Sequence, residues 1–262
     1  MGDTDTGTPA IDRRCRHRRA RRSHVELMIL HENSEWGQLT HEAGELARRL
    51  GLGELQHSLP TKVGVRKKSV RRVYVFRGGV VWQDPDAAEQ ALRWNDVVDW
   101  RESTTHNYRY STYTHTNFSY TFTGSGQLSL KLASSFRDGR MHQPPIDRFG
   151  PPQACVCSEI GREICDYLAR TRLPGTLEAV GRGERQTFGS VSLASDGIQV
   201  GGTEVPWELV EDLRVDKGWF KVAGAGLRRP PTRAVSDIPR FTLLKAAADA
   251  LLEKNRDLPR IG

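Results

Sequence analysis

The chain has 262 residues, of which 37% are hydrophobic and 27% charged, with a formal net charge of +7. That length fits two domains of about 100 residues each. There is neither an apolar run of the ~18 residues a membrane helix needs nor the apolar stretch of a secretory leader, so a cytoplasmic protein is expected.

The charge is concentrated at the front. Arg13, Arg14, Arg16, Arg18, Arg19, Arg21 and Arg22 stand against Asp3, Asp5 and Asp12 and supply more than half of the net charge. Residues 1–24 read as a disordered basic arm, the segment to which nucleic-acid binding would fall if the protein had it. Eight lysines against 31 arginines is the bias a GC-rich genome writes whatever the function. Met28 stands just after the arm and marks the expected native start, at or near that residue.

Residues 25–53 form an N-terminal helical segment. Leu39, Ala43, Leu46, Ala47 and Leu50 make one apolar stripe, Arg48 and Arg49 suit the C-terminal end of the dipole, and Gly51 or Gly53 ends the helix. A first domain spans 54–172. Leu55 to Val65 is its first strand. Arg66, Lys67, Lys68, Arg71 and Arg72 put five cations in seven residues, an anion-binding candidate for a phosphate or lipid head group. Arg72 to Val81 reads as two strands joined at Gly78-Gly79, glycines that allow the positive φ of a tight hairpin. Leu92 to Trp100 is a further strand. From Thr104 to Thr123, and on through Leu128, Leu130 and Leu132 after Gly124-Ser125-Gly126, alternating aromatic and apolar residues predict a half-buried antiparallel hairpin. Arg137 to Gln153 is a Pro/Gly-rich loop, and a helix from Ala154 to Arg170 closes the domain.

Residues 173–183 are the expected linker. The second domain, 184–257, holds two strands over Gln186 to Val200 with an Asp196-Gly197 turn, a strand pair over Val205 to Val215, Trp219 to Val222, and a closing helix opened by Pro239. Residues 258–262 are a tail.

The two halves share an order: strand, glycine turn, strand, tryptophan strand, hairpin, helix. Gly79 precedes Trp94 by 15 residues and Gly197 precedes Trp207 by 10. The closing helices carry apolar residues at the same offsets, in Cys157, Ile160, Ile164, Tyr167 and Leu168 and again in Phe241, Leu244, Ala248, Leu251 and Leu252. Unequal copies of this kind are a domain duplication and not a solenoid. Trp94 and Trp207 are expected in the cores.

The chemistry-bearing residues give no catalytic set. His106 and His115 fall on opposite faces of an unbroken strand. Ser195-Asp196-Gly197 lacks the frame of a nucleophile elbow, and Gly224-Ala225-Gly226 lacks the Lys-Ser/Thr of a phosphate loop. Asp96, Asp99 and Glu102 read as exposed acids on a strand end. Cys155, Cys157 and Cys165 do not converge on one point of a helix, so buried thiols are expected and neither metal nor cofactor.

Phe188-Gly189, Asp196-Gly197-Ile198, Val205-Pro206-Trp207, Gly218 and Ile238-Pro239, with Leu50 to Leu55 and Val75 to Val80, resemble a family of uncharacterised actinobacterial proteins with a domain of unknown function. The sheet-plus-helix order looks like the pleckstrin-homology-like fold. Arg240, where the family pattern has Asn, and the missing Trp between Gly224 and Ala234 depart from it. The resemblance implies an α+β protein of two tandem PH-like domains, each an antiparallel sheet or partly open barrel closed by a C-terminal helix, after an N-terminal helix. The expected function is non-catalytic binding of a protein or peptide partner, the alternative an anionic lipid surface, and nucleic acid comes third.

Overall fold

Apolar alternation and glycine placement set the architecture. The computed structural model describes residues 38–63, 69–84, 87–141 and 153–256. The basic arm, the start at Met28 and the tail lie outside them.

Helix α1 (His41–Arg49) begins where the Thr40 hydroxyl accepts a hydrogen bond from Ala43 N–H, and has Glu42 in its first turn and Arg48 and Arg49 in its last. It buries Ala43 and Ala47 against Leu52, Tyr74, Phe76 and Val81. Strands β1 (Leu55–Val63), β2 (Ser69–Phe76), β3 (Gly79–Gln83) and β4 (Gln90–Arg93) form an antiparallel meander. A 3₁₀ turn at Trp94–Asp96 leads to a second, three-stranded meander of β5 (Val97–Arg109), β6 (Thr112–Gly124) and β7 (Ser129–Phe136). Helix α2 (Gln153–Gly181) lies across it.

The same succession then recurs. Strands β8 (Gln186–Phe188), β9 (Val191–Leu193), β10 (Gly197–Val200) and β11 (Thr203–Pro206) make a four-stranded meander. A 3₁₀ turn at Trp207–Leu209 leads to β12 (Val210–Asp216), β13 (Trp219–Gly224) and β14 (Thr232–Ala234), and α3 (Phe241–Arg256) closes the set. The fold is α+β with four antiparallel sheets and three α-helices among the described residues, whose strands close no barrel.

The two sets agree bond for bond around their tryptophans. Trp94 Nε1 donates to Phe76 O at 3.3 Å and its backbone N–H to Gly78 O at 3.0 Å. Trp207 donates in the same way to Ala194 O and Asp196 O, at 3.0 and 3.1 Å. Both rings are buried, 4% and 2% exposed. Val97 and Val210 each face a glycine, Gly124 and Gly224, and each is followed by a bulge that ends at an aspartate, Asp99 or Asp212.

Several expectations need correction. Neither Gly78 nor Gly79 has a positive φ. Gly79 is required because a Cβ there would stand 2.5 Å from Leu92 O, and Gly197 because one would stand 2.6 Å from Val205 O. The tryptophan strands are interrupted by the 3₁₀ turns, which swing the chain from one sheet to the next. The aromatic stretch is itself a hairpin, turning at Tyr110-Ser111. The expected linker continues α2, because Leu173, Leu177 and Val180 pack on the core. That burial outweighs the roughly 3 kcal/mol cost of Pro174 inside a helix. Pro239 lies before the first residue of α3, not inside its first turn. One apolar core runs through both sets, from Trp82, Trp100 and Phe122 to Phe188, Phe220 and Leu244.

Candidate binding surface

Of the basic stretch, Arg66, Lys67 and Lys68 lie outside the described residues. Arg71 and Arg72 are neighbours on β2, so their side chains leave opposite faces of the sheet. Arg71 is engaged by Asp84, Nε to Oδ1 2.6 Å, and donates to Lys131 O. These two arginines therefore do not converge on one point.

The β5–β6 ribbon carries the two most exposed Tyr, Trp or Phe rings among the described residues. Each strand has 13 residues, and β7 pairs with β6 only as far as Thr116. The pairs from Asn107–His115 to Arg109–Thr112 continue as a two-stranded ribbon, in which Tyr113 is buried and bonds Phe136 O and Asp138 N–H at and just beyond the end of β7. At its end Tyr110 and Ser111 have φ of 48° and 65°. Such a turn asks for Asn-Gly, and non-glycine residues with positive φ cost roughly 1–2 kcal/mol each. In the second set the matching turn is Lys217-Gly218, on strands of seven and six residues. Lys217 also has a positive φ, 50°, so the first set differs in its longer strands and in having Ser111 where the second has Gly218.

Tyr110 is 89% exposed and Tyr108 57%. The guanidinium of Arg109 lies 5.5 Å from the Tyr110 ring centroid. Thr114 Oγ1 donates to Asn107 O, Tyr113 Oη and Thr116 Oγ1 lie 2.8 Å apart, and Asp138 N–H donates to Tyr113 Oη. These bonds tie the two strands of the ribbon to each other and to the chain just beyond β7. No acidic residue occurs from Ser103 to Arg137. His106 and His115 do leave opposite faces, but because a turn separates them: His106 pairs with Thr116, His115 with Asn107. Each ring bonds a neighbouring threonine, with neither aimed at the other. The register shift between Asn107 and Tyr108 changes the burial phase within β6: Tyr113 is buried at an odd position, Thr116, Phe118, Tyr120 and Phe122 at even ones.

The remaining candidates serve the fold. Cys155, Cys157 and Cys165 are buried free thiols on α2. Burial pushes the Cys155 thiol up to about 11 and Cys157 up to about 12, and raises Cys165 further, where Glu102 and Asp166 add to the effect. None is a nucleophile at neutral pH. Among the described residues no group of His, Cys, Asp and Glu has the arrangement of a metal site.

Glu102 corrects the expectation of an exposed acid. It is half-buried, and its Oε1 accepts from Thr242 N–H at 2.7 Å and Thr242 Oγ1 at 2.5 Å, capping α3 from a strand of the other set. Burial raises its pKa above the ordinary carboxylate value, the two bonds from Thr242 pull it down, and Asp166 adds a smaller upward push. Beside it Arg240, with φ 54°, donates its N–H to Trp100 O and Nη2 to Thr187 O, 2.7 Å. Arg172 reaches Val97 O and lies 5.2 Å from the Trp100 ring centroid. These groups form a seam between the two sets.

No helix of the described residues is long and apolar enough to cross a membrane. No curated protein and no solved structure matches the chain. Residues 153–256 match a family of unknown function (DUF6585), a region that takes in α2, the second set of sheets and α3.

Proposed function

We propose that the chain is a non-catalytic binding protein built from two PH-like units, and that its partner is a protein or peptide engaged by the β5–β6 ribbon. The observation that carries this reading is the Tyr110-Ser111 turn, strained and exposed at the end of strands longer than the matching ones of the second set. Strain kept where it adds nothing to packing points to function. Tyrosine, arginine, histidine and asparagine on a hydrogen-bonded ribbon make a low-entropy contact surface, since aromatic anchors lose few rotamers on binding. The duplication is supported by the matching bonds around Trp94 and Trp207.

The test replaces residues 107–115 by an Asn-Gly turn joining His106 to Thr116, the short form that the second set already uses. Quantitative capture from native lysate compares this variant with wild type and with a Lys217→Asn control. The reading expects a stoichiometric protein retained by wild type and control and lost with the ribbon. An unchanged set of captured proteins overturns it.

A further inference from the structure

We infer that the outer face of the second four-stranded sheet holds a site for a phosphate monoester, gripped between Arg185 and Arg233. The two side chains line one open groove of about 310 Å³ with Thr187, Ser190, Ser192 and Gln199. No carboxylate lines this groove.

Arg233, on β14, reaches across to the β10–β11 turn, where a Cβ on Gly201 would fall 2.3 Å from its Nη2. Gly201 leaves the space the guanidinium fills. The arginine is half-buried, its Nε is buried without an acceptor, and no ion pair reaches it among the described residues. A partly desolvated cation without a partner is costly, and an anion in the groove removes that cost. Arg185 is held in place, Nη2 to Glu204 at 3.0 Å and Nη1 to Ser192 Oγ and Gln199 Oε1 at 3.3 and 3.4 Å. Glu204 fixes one side of that guanidinium and leaves further N–H donors. The Thr187 and Ser190 hydroxyls have no partner within the described residues. One guanidinium fork satisfies a planar carboxylate, whereas two guanidiniums and two hydroxyls spread around a groove suit a tetrahedral anion with three terminal oxygens.

The site is independent of the ribbon reading. Its test is titration of the full chain by heteronuclear NMR with inorganic phosphate, O-phosphoserine and acetate, and flotation with phosphatidylcholine vesicles with and without phosphatidic acid. The expected result is saturable shifts at Gly201, Gly202 and the Arg233 side chain with at least one phosphate source, and none with acetate. Saturation by the soluble probes alone assigns a free phosphate compound; binding to phosphatidic acid vesicles alone assigns a lipid head group. Arg233→Gln weakens binding about tenfold or more, Arg233→Lys less, and Ser190→Ala about threefold with the guanidiniums untouched. No saturable response to any phosphate source overturns the proposal. So does wild-type affinity in Arg233→Gln or, where that variant is unfolded, in both Arg233→Lys and Ser190→Ala.

Discussion

Replacing Glu102 separates two roles of one carboxylate. Its oxygen satisfies the N–H and hydroxyl of Thr242 in the first turn of α3, while its charge is held out of water. Glu102→Ala removes the acceptor and leaves a half-buried N–H unpaired, which costs about 1–3 kcal/mol. Loss of the favourable charge–dipole interaction adds about 0.3–1 kcal/mol, and release of the desolvated charge offsets part of the total. A net loss of about 1–3 kcal/mol is expected. Glu102→Gln keeps a carbonyl acceptor in place and removes the buried charge, so it should lie within about 1 kcal/mol of wild type at neutral pH.

The pH dependence fixes the sign. A carboxyl whose folded pKa is raised binds its proton more tightly in the folded state, so ν_U − ν_N is negative and stability falls as pH rises. The contribution is fully present below the unfolded value and is lost as pH climbs through the folded one, the window opening near 4.5 and extending upward. Urea unfolding followed by far-UV circular dichroism from pH 4 to 8, with Glu102→Gln as reference, reads this directly. Wild type should lose ground to the Gln variant as pH rises through the window. A wild type that instead gains on Gln, or an Ala variant as stable as Gln, refutes the cap and the burial argument together.

Gly79→Ala and Gly197→Ala should each destabilise by about 1–3 kcal/mol in urea melts, because each Cβ meets a strand carbonyl at nearly the same distance. A large effect at one and none at the other breaks the correspondence between the two sets. Tyr110→Asn with Ser111→Gly should raise stability by about 1 kcal/mol by relieving the positive-φ strain while costing partner capture; a lower melting temperature counts against the strain argument. Thiol titration of the native protein at pH 7 should leave Cys157 and Cys165 unmodified until denaturant is added.

The recurring order of strand, glycine, tryptophan and helix was legible because its marks are chemical. A tryptophan that needs a carbonyl for its indole N–H, and a glycine with no room for a Cβ, recur in the same order wherever the same corner is built. The corner itself was not legible: Leu92 to Trp100 has the apolar content of one strand, and only tertiary packing makes Trp94 start a turn. Tyr110-Ser111 escaped because nothing in that pair announces positive φ, as Asn-Gly would. Residues 173–183 were expected to link two domains, yet Leu173, Leu177 and Val180 had a core to meet. Glu102 could not be read as a cap, since its partner lies 140 residues away. The anion-binding candidate rested on cations close in sequence, and on a strand adjacent residues diverge, as Arg71 and Arg72 do.

Helix α2 complicates any division of the chain at its midpoint. The family match begins at residue 153, as though α2 belonged with the second set of sheets alone, but α2 lies against β1, β5, β6 and β7 as well as β8 and α3. It sits so close on β6 that a Cβ at Gly161 would fall 2.3 Å from the Tyr120 ring. Val156, Cys157, Ile160, Ile164 and Leu168 enter the shared core, and in an excised 153–256 those facing the first set of sheets have no partner surface. Burial is worth about 25 cal/mol per Å² of apolar surface, and an excised segment also gives up the Glu102 cap and the Trp100 carbonyl that receives Arg240. The segment should therefore bind hydrophobic dyes and melt far below the full chain, and Ile160→Glu, Ile164→Glu should restore its solubility while destroying the intact protein. A well-behaved 153–256 with a sharp transition like that of the whole would mean that the continuous core is two cores in contact, and that α2 needs only the second.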